Sequence, residues 1–224
     1  MPLDTRHPQS RLNSTMNDSG VNIALSSSAF GDRISGNTPR KLLVVDHALF
    51  AEMPDYFPNE ACSAVRPENG AFLMFTSGST GKPKGILTEH DAFATSCRDH
   101  GAAMQITSQS RTFQFSAYSF DSSFSDMFCT FMSGGCVCVP SDHDRLNNLT
   151  DSINRLKANV LSITPTVADQ LLPEDLKTLK VLVAGGEPLT ESIVSKWADR
   201  VTLINIYGPT ECVSASYNFH SLLE

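Results

Sequence analysis

Seven short apolar runs recur along this chain of 224 residues, and amphipathic or polar stretches separate them. Most of the runs alternate only in part between apolar and polar residues, which is typical of strands covered on both faces. Strands that alternate with helices favour an α/β fold with a mostly parallel sheet and right-handed crossovers. The predicted strands are Lys41 to Asp46, Phe72 to Phe75, Thr112 to Phe115, Cys136 to Val139, Val160 to Ile163, Lys180 to Val183 and Val201 to Ile206.

Apolar residues at helical spacing predict three helices that flank the sheet. The first helix ends at Gly134-Gly135, and its apolar face consists of Phe124, Met127, Phe128 and Phe131. The second has an apolar face made of Leu146, Leu149, Ile153 and Leu156. In the third helix, which runs to Trp197, Pro188 fits the first turn.

The segment from Phe75 to Gly85 combines three glycines, four hydroxyl residues and two lysines directly after an apolar run. Backbone amides and hydroxyl groups in such a loop bind a polyphosphate, and the lysines supply positive charge. The spacing differs from a Walker A loop, because only two residues separate Gly78 from Gly81 and a proline follows Lys82. The alternative is a flexible surface turn, which the preceding apolar strand disfavours.

Composition and charge indicate which classes of partner the chain does not bind. The net charge of -7 provides no basic surface for nucleic acid or for an anionic membrane. No apolar run approaches the roughly 20 residues that cross a bilayer. The six cysteines include no Cys-x-x-Cys pair, and the first residues lack the profile of a signal peptide. We therefore expect a cytoplasmic protein with no nucleic-acid and no membrane partner.

Three more segments combine polar residues with glycine or with a helix start. Phe120 to Phe124 opens the first predicted helix, and Asp121 is either a ligand-binding carboxylate or the N-cap. Gly185-Gly186-Glu187 follows a strand, where the glycines allow a flat ring to approach the backbone or simply form a turn. Asn205 to Glu211 also follows a strand, and its alternative interpretation is a helix start capped by Thr210.

These segments resemble, in the same order, motifs of the adenylate-forming superfamily of acyl-CoA synthetases, luciferases and nonribosomal peptide synthetase adenylation domains. Phe75 to Gly85 resembles the phosphate-binding motif, and Tyr207 to Glu211 resembles the Tyr-Gly-Pro-Thr-Glu motif. Phe120 to Ser123 resembles the Phe-Asp-x-Ser motif of amino-acid-activating members. The resemblance implies part of the family's large N-terminal domain over residues 1–217, with a divergent tail over residues 218–224.

The resemblance implies ATP and Mg²⁺ as cofactors. Lys84 would neutralise the leaving pyrophosphate, Thr210 would contact the α-phosphate and Glu211 would bind magnesium, so these three are the candidate catalytic residues. The ring of Tyr207 would pack on adenine. The residues predicted to bind ATP are Thr76, Ser77, Gly78, Ser79, Thr80, Gly81, Lys84, Gly185, Gly186, Glu187, Asn205, Tyr207, Gly208 and Thr210.

The resemblance also implies an amino-acid substrate, whose α-ammonium group Asp121 would bind. The positions that would surround the substrate side chain are mostly small, which favours a roomy pocket that accepts a bulky or aromatic side chain. None of them is charged, which argues against a charged side chain. These positions are Ser122, Ser125, Ser162, Val183, Gly185, Ile206, Ser214 and Ala215.

A complete domain of this kind activates an amino acid with ATP, releases pyrophosphate and loads the phosphopantetheine thiol of a carrier domain. The first third of the family's large domain and its small C-terminal domain, with a catalytic lysine, are not recognisable in these residues. We therefore expect the isolated chain to be inactive as an AMP-forming ligase. Two alternatives remain: a ligase that activates acyl or aryl acids, and a non-catalytic remnant that binds nucleotide.

Overall fold

The computed structural model describes residues 1–34, 41–53, 64–76, 83–212 and 216–220. The chain divides into two compact units, Met1–His90 and Asp91–Glu224. Within the described residues, no helix is long and apolar enough to cross a bilayer.

The first unit contains two small two-stranded sheets. One is parallel and the other is antiparallel. A short apolar core of Leu12, Met16 and Ile34 lies between the first helices. The elements are α1 (Gln9–Ser19), β1 (Ile23–Ser26), α2 (Gly31–Ile34), β2 (Lys41–Val44), α3 (His47–Glu52), β3 (Gly70–Thr76) and β4 (Lys84–Glu89).

The antiparallel pair places both ends of the predicted phosphate loop side by side. Thr76 is the last residue of β3 and Lys84 is the first residue of β4, and the two are directly paired across the ladder. The next described element after β3 is therefore a strand, whereas a Walker A loop leads into a helix.

The second unit is built around one six-stranded sheet with helices on both faces. Its strand order is β10-β9-β8-β7-β5-β6, and all neighbours are parallel except β10 and β9. Its elements are α4 (His90–Ala103), β5 (Arg111–Phe113), α5 (Asp121–Met132), β6 (Cys136–Cys138), α6 (Asp142–Asn147), α7 (Leu149–Arg155), β7 (Val160–Ile163), α8 (Pro165–Gln170), β8 (Val181–Gly185), α9 (Glu191–Trp197), β9 (Thr202–Tyr207) and β10 (Ser216–His220).

One face of this sheet carries the main apolar core. Leu161, Leu182 and Leu203 come from three adjacent strands and are fully buried there, together with Trp197 of α9. The indole Nε1 of Trp197 donates to the carbonyl oxygen of Ala168 at 3.2 Å, so the one polar atom of this ring is satisfied in the core. This face supplies the hydrophobic stabilisation of the unit.

The helix α5 packs on the opposite face with its polar side. Its buried residues are Ser123, Asp126, Cys129 and Thr130. Its aromatic stripe points away from the sheet, and Phe128 and Phe131 are 41% and 57% exposed. Phe93 of α4 packs edge-on against Phe128, with ring centroids 5.3 Å apart. The sequence period predicted a helix here, but the apolar side of that helix is the outer one.

This outer aromatic face predicts binding of a hydrophobic dye. We expect Phe131→Glu to reduce the fluorescence of bound anilinonaphthalene sulfonate, because a charge interrupts the exposed apolar patch. Stability in urea should change by less than about 0.5 kcal/mol, as for other surface substitutions. Leu146→Glu is the matched control, since Leu146 is also exposed but lies on α6. A loss of stability of more than about 2 kcal/mol would contradict the exposed position.

Two helix predictions are wrong. The predicted face from Leu146 to Leu156 spans two helices, because Asn148 has non-helical angles (φ -133°, ψ 44°) and separates α6 from α7. Pro188 does not lie in the first turn of α9. Thr190 caps that helix by accepting a hydrogen bond from the amide of Ile193, so α9 begins at Glu191.

All seven predicted strands are present; β7 has the predicted bounds, and the other six have shifted ends. The shifts are of one or two residues: β2 ends two residues before Asp46, β5 ends two residues before Phe115, and β8 continues through Gly185. The strands β1, β4 and β10 were not predicted. The last of these, Ser216–His220, crosses the boundary that the sequence placed after residue 217.

Candidate functional site

The order of the strands reverses between β5 and β7, and in open α/β sheets a crevice forms at such a point, at the carboxyl edge of the sheet. After β5 the chain continues to β6 on one side, and β7, β8 and β9 lie on the other side. Ligands of open α/β sheets bind at the carboxyl ends of the strands, where the strand order reverses in this way. The carboxyl ends of β5 and β7 therefore mark the candidate site.

The segment after β5 holds Asp121 at this edge. The side-chain amide of Gln114, which is buried, donates to the carbonyl oxygen of Ser116. The hydroxyl of Ser122 donates to Oγ of Ser116 at 2.9 Å. Asp121 Oδ1 accepts a hydrogen bond of 2.8 Å from the amide of Ser122. These bonds tie the start of α5 to the end of β5.

Asp121 is the first residue of α5, and Phe120 occupies the N-cap position. The interpretation of Asp121 as the N-cap is therefore one residue off. Asp121 is half-buried, and no cation in the described part of the chain forms an ion pair with it. The structure thus presents a partly desolvated carboxylate beside the crevice.

The strands β7, β8 and β9 bring four predicted pocket residues onto one face of the sheet. Leu161 and Ile163 point into the main core, so Ser162 points to the α5 face. Ser162 pairs with Val183, which pairs with Ile204. Two residues further along their strands, Gly185 and Ile206 are also paired and lie on the same face. We call Ser162, Val183, Gly185 and Ile206 the strand row.

At Gly185 the strand row has no space for a side chain. A Cβ atom there would lie 2.4 Å from Cγ2 and 2.9 Å from the carbonyl oxygen of Ile206. We expect Gly185→Ala to destabilise the chain by about 1–3 kcal/mol in urea unfolding, because the backbone of β9 would have to shift.

Gly101→Ala is the control for this substitution. A Cβ atom at Gly101 would make only ordinary contacts of 3.5 Å or more, and Gly101 lies within α4. We expect this variant to be more stable than the parent by about 0.5–1 kcal/mol. Equal stability of the two alanine variants would show that the close approach at Gly185 is not required.

The turn after β8 is held by Glu187. Gly186 has a φ of +82°, which favours glycine. The carboxylate of Glu187 accepts from the amide and the hydroxyl of Thr166, at 3.0 and 2.5 Å. These hydrogen bonds hold the pKa of Glu187 below its ordinary value. They link the turn to the first turn of α8, which is a structural role for this side chain.

The segment after β9 brings the predicted adenine and phosphate contacts to the same edge. Tyr207 ends β9, and its side chain is 72% exposed. Asn205 is half-buried and points to the face opposite the strand row, because it pairs with Ala184. Thr210 and Glu211 lie in one turn of 3₁₀-helix that begins at Thr210 itself. Thr210 is half-buried and Glu211 is exposed.

The predicted phosphate contacts belong in part to the first unit. Thr76 is half-buried and Lys84 is exposed. The remaining loop residues of the prediction lie outside the described residues: Ser77, Gly78, Ser79, Thr80 and Gly81. Ser214 and Ala215 also lie outside them.

Sequence reasoning missed the buried polar residues beneath the strand row. Asp126 is 2% exposed, and its Oδ2 has no hydrogen-bond partner. Burial raises the pKa of Asp126 to about 8, although the hydroxyl of Ser162 acts in the opposite direction. Oγ1 of Thr130, one turn further along, donates to the carbonyl oxygen of Asp126 and lies 2.7 Å from Oγ1 of Thr112 on β5. The signal was a polar stripe of Ser123, Asp126 and Thr130 at helical spacing.

The sequence is similar to that of known proteins over almost its whole length. The family described as AMP-binding enzyme matches residues 1–223. Nonribosomal peptide synthetase 4 of Gibberella zeae is 41% identical over 219 residues, which are 97% of this chain and 3% of that protein. Nonribosomal peptide synthetase atnA of Emericella nidulans is 42% identical over 211 residues, which are 94% of this chain and 3% of that protein. The chain thus spans a small part of these relatives.

Solved structures confirm the predicted fold. The adenylation domain AlmE of Vibrio cholerae, in complex with glycyl-adenosine-5'-phosphate, matches with a TM-score of 0.78 at 24% identity. The match covers 97% of this chain and 47% of that one. The α/β architecture with a parallel sheet and flanking helices is therefore shared with adenylation domains.

Proposed function

The chain belongs to the AMP-binding enzyme family, and we propose that it takes part in the ATP-dependent activation of an amino acid for nonribosomal peptide synthesis. The observation that carries the proposal is Asp121, a half-buried carboxylate at the crevice between β5 and β7. The synthetases to which the chain is similar point in the same direction.

Asp121 is suited to bind the α-ammonium group of an amino acid. Its Oδ1 is oriented by the amide of Ser122, and no protein cation of the described chain pairs with the carboxylate. An ammonium group forms charge-assisted hydrogen bonds with such a carboxylate, and an acid without the amine forms none. The strand row, with Ser122 and Ser125 of α5, would then receive the side chain of the amino acid.

ATP is the nucleotide that the family uses, and we propose which residues contact its adenine and its phosphates. The exposed ring of Tyr207 offers a face for adenine, with Asn205, Gly208 and the turn Gly185-Gly186-Glu187 as further contacts. Thr210 would contact the α-phosphate. Thr76, the loop from Ser77 to Gly81 and Lys84 would bind the β- and γ-phosphates.

The residues present fit a magnesium ion held together with phosphate oxygens. Glu211 is an exposed carboxylate at the carboxyl edge of the sheet, and Mg²⁺ is usually bound by one or two carboxylates plus phosphate oxygens. Within the described residues, no cluster of three or more acidic, His or Cys side chains forms a complete protein site. When bound, the ion would neutralise charge on the phosphates.

In the proposed reaction the substrate carboxylate is the nucleophile. One of its oxygens forms a bond to the α-phosphorus of ATP, and the bond from that phosphorus to the bridging oxygen of the β-phosphate breaks. The products are the aminoacyl-adenylate and pyrophosphate. Asp121 orients the amino acid for this attack, and Lys84 stabilises the negative charge of the leaving pyrophosphate.

We further propose a phosphopantetheinyl carrier domain as the partner that accepts the activated amino acid, and the cytoplasm as the location. The net charge of -7 disfavours nucleic acid as a partner.

The function is tested by equilibrium binding of unreactive sulfamoyl adenosines to the 224-residue chain. The probes carry each proteinogenic aminoacyl group, a benzoyl group or a decanoyl group, and ATP alone is a further probe. We expect one or a few aminoacyl probes to bind at least about tenfold more tightly than the benzoyl and decanoyl probes. Preference for the benzoyl or decanoyl probe would identify an acyl- or aryl-acid ligase. Binding of ATP without a preference for any of the acyl groups on the probes would identify a nucleotide-binding remnant.

A further inference from the structure

Two cysteines of the edge strand β6 lie on the same face of the large sheet. The strand consists of Cys136, Val137 and Cys138, and side chains two residues apart on a strand point to the same side. Cys138 is 3% exposed and belongs to the main apolar core, whereas Cys136 is exposed. The two thiols therefore lead from the surface into the core, on the face opposite the strand row.

The spacing of these thiols fits a bridging metal ion and not a disulfide bond. The register between β5 and β6 is regular over the whole of β6. At about 3.3 Å per residue, Cβ atoms two residues apart are separated by about 6.6 Å, whereas a disulfide needs about 3.8 Å. Two metal–sulfur bonds of about 2.3 Å hold their sulfur atoms about 4 Å apart or slightly more. Thiols that lean toward each other span this distance.

The thiol of Cys136 leans in the required direction. Its Sγ lies 3.8 Å from the carbonyl oxygen of Val137, the residue between the two cysteines. This oxygen is further along the strand than Cys136 itself, so Sγ is displaced toward Cys138. The pair is therefore arranged for one ion between the two sulfur atoms.

Arg111 places a positive charge beside both thiols. It pairs with Cys136 across the ladder, so it lies on the same face. Its Nε and Nη2 donate to the carbonyl oxygen of Leu156 at 3.1 and 2.8 Å, and Sγ of Cys138 lies 3.6 Å from the same oxygen. A metal ion binds cysteine as the thiolate, so Cys138 would lose its proton. The carbonyl oxygen of Leu156 would still accept two hydrogen bonds from Arg111.

The number of ligands indicates which kind of ion fits. A structural Zn²⁺ site has four ligands. Within the part of the chain that the structure describes, no group of three or more His, Cys, Asp or Glu side chains comes together. Thiolate ligands select soft ions such as Cu(I), which is stable with two sulfur ligands. β6 is the end strand of the described sheet and Cys136 is exposed, so the ion has access.

We propose that Cys136 and Cys138 form a two-coordinate Cu(I) site at the edge of the sheet, and that Arg111 balances its charge. The ion forms one bond to each sulfur, and two protons leave to solvent, so the step needs no oxidant or reductant. One monovalent ion and two thiolates carry a single excess negative charge, which the guanidinium group offsets. The site uses none of the residues that we propose for ATP or the amino acid.

Competition with bicinchoninate in the absence of oxygen measures the affinity of the chain for Cu(I). We expect Cys136→Ser and Cys138→Ser each to lower the affinity by more than about 100-fold, which exceeds the usual effect of a residue outside the ligand set. Cys97→Ser is the control matched to Cys138, because Cys97 is also buried but lies on α4. It should leave the affinity unchanged.

Cys136→Ser alone can overturn the site, because it replaces an exposed side chain and leaves the core intact. Copper affinity that this variant leaves unchanged would show that the ion binds elsewhere. Failure of the parent chain to take copper from bicinchoninate would also overturn the proposal. Since neither an aminoacyl nor a nucleotide probe is used, neither result depends on the proposed function.

A pair of variants tests the role of Arg111. Arg111→Gln should lower the affinity for Cu(I) by about 10- to 100-fold, as for other residues next to a ligand set. Arg111→Lys keeps the positive charge and should stay within about threefold of the parent. Both variants lose the guanidinium hydrogen bonds to Leu156. An equal loss of affinity in the two would therefore overturn the assignment of Arg111 as the balancing charge.

X-ray absorption of the copper-loaded chain reports the coordination directly. We expect two sulfur neighbours and no nitrogen or oxygen neighbour, and a third neighbour would overturn the two-coordinate site. Glutathione disulfide tests the spacing in the metal-free chain. Cys136 should form a mixed disulfide, with release of one glutathione thiol, and should keep it. A Cys136–Cys138 disulfide in the mapped peptides would show that the sulfur atoms approach more closely than a strand allows, and would overturn the bridged arrangement.

Discussion

Asp121→Ala should lower the affinity of the chain for the proposed amino-acid substrate by about 30- to 700-fold, which corresponds to about 2–4 kcal/mol. The lost contact is a charge-assisted one between a half-buried carboxylate and the ammonium group, and no other anionic side chain is among the proposed pocket residues. The affinity for ATP should stay within about threefold, because Asp121 is not assigned to the nucleotide. Calorimetric titration with the amino acid and with ATP measures both values.

The control for this variant removes a carboxylate from the first turn of another helix. Asp151 lies in the first turn of α7 and is exposed. Asp151→Ala should leave amino-acid binding unchanged. Weaker binding by this variant would instead indicate a general effect of net charge or of helix starts. If Asp121→Ala binds its amino acid within about threefold of the parent, less than about 1 kcal/mol, then Asp121 serves only the start of α5.

Asp126→Asn should make the chain more stable above about pH 5, by an amount that grows with pH. Burial raises the pKa of Asp126 from its ordinary value of 3.8 to about 8 in the folded chain. Below both pKa values the carboxyl group of Asp126 is protonated in the folded chain and in the unfolded chain. Between them the unfolded chain loses the proton and the folded chain keeps it, so stability falls as pH rises, by up to about 1.4 kcal/mol per pH unit. The side chain of Asp126→Asn does not titrate, so the stability of this variant does not fall with pH for this reason.

Urea unfolding of the parent and the variant from about pH 4 to about pH 9 measures the difference. Asp144→Asn should show the opposite dependence. A hydrogen bond from Arg155 holds the pKa of Asp144 below its ordinary value, so removing the carboxylate costs stability at neutral pH and little in acid. Parallel curves for the parent and Asp126→Asn would show that this carboxyl group titrates as an ordinary one.

The sequence predicts the strands best where both faces of a strand are buried. The bounds of β7 agree residue for residue with the prediction, because Val160 to Ile163 is a continuous apolar or small run. β10 was not predicted, since Ser216–His220 becomes a strand only through its antiparallel partner β9. Helix ends also depend on single residues, as Asn148 and Thr190 show.

The candidate site was predictable as a set of positions, but not as an arrangement. Motif spacing indicated Asp121 and the ends of β8 and β9, and the register of three strands then places Ser162, Val183, Gly185 and Ile206 on one face. Asp126 was not predictable as a site residue. Its importance comes from burial, and the aromatic stripe on the other side of α5 dominated the periodicity.

The contact between α5 and the sheet has a consequence for how the protein opens. Three of the four buried residues of the helix there are polar (serine, aspartate and threonine, with one cysteine), whereas leucine and tryptophan fill the core on the other face of the sheet. Elements with few buried apolar contacts open at lower free energy than a core and exchange their amide hydrogens sooner. The amides of α5 should therefore exchange before those of β7 and β8. Since Asp121 begins this helix, local opening would release the amino acid while the sheet remains folded.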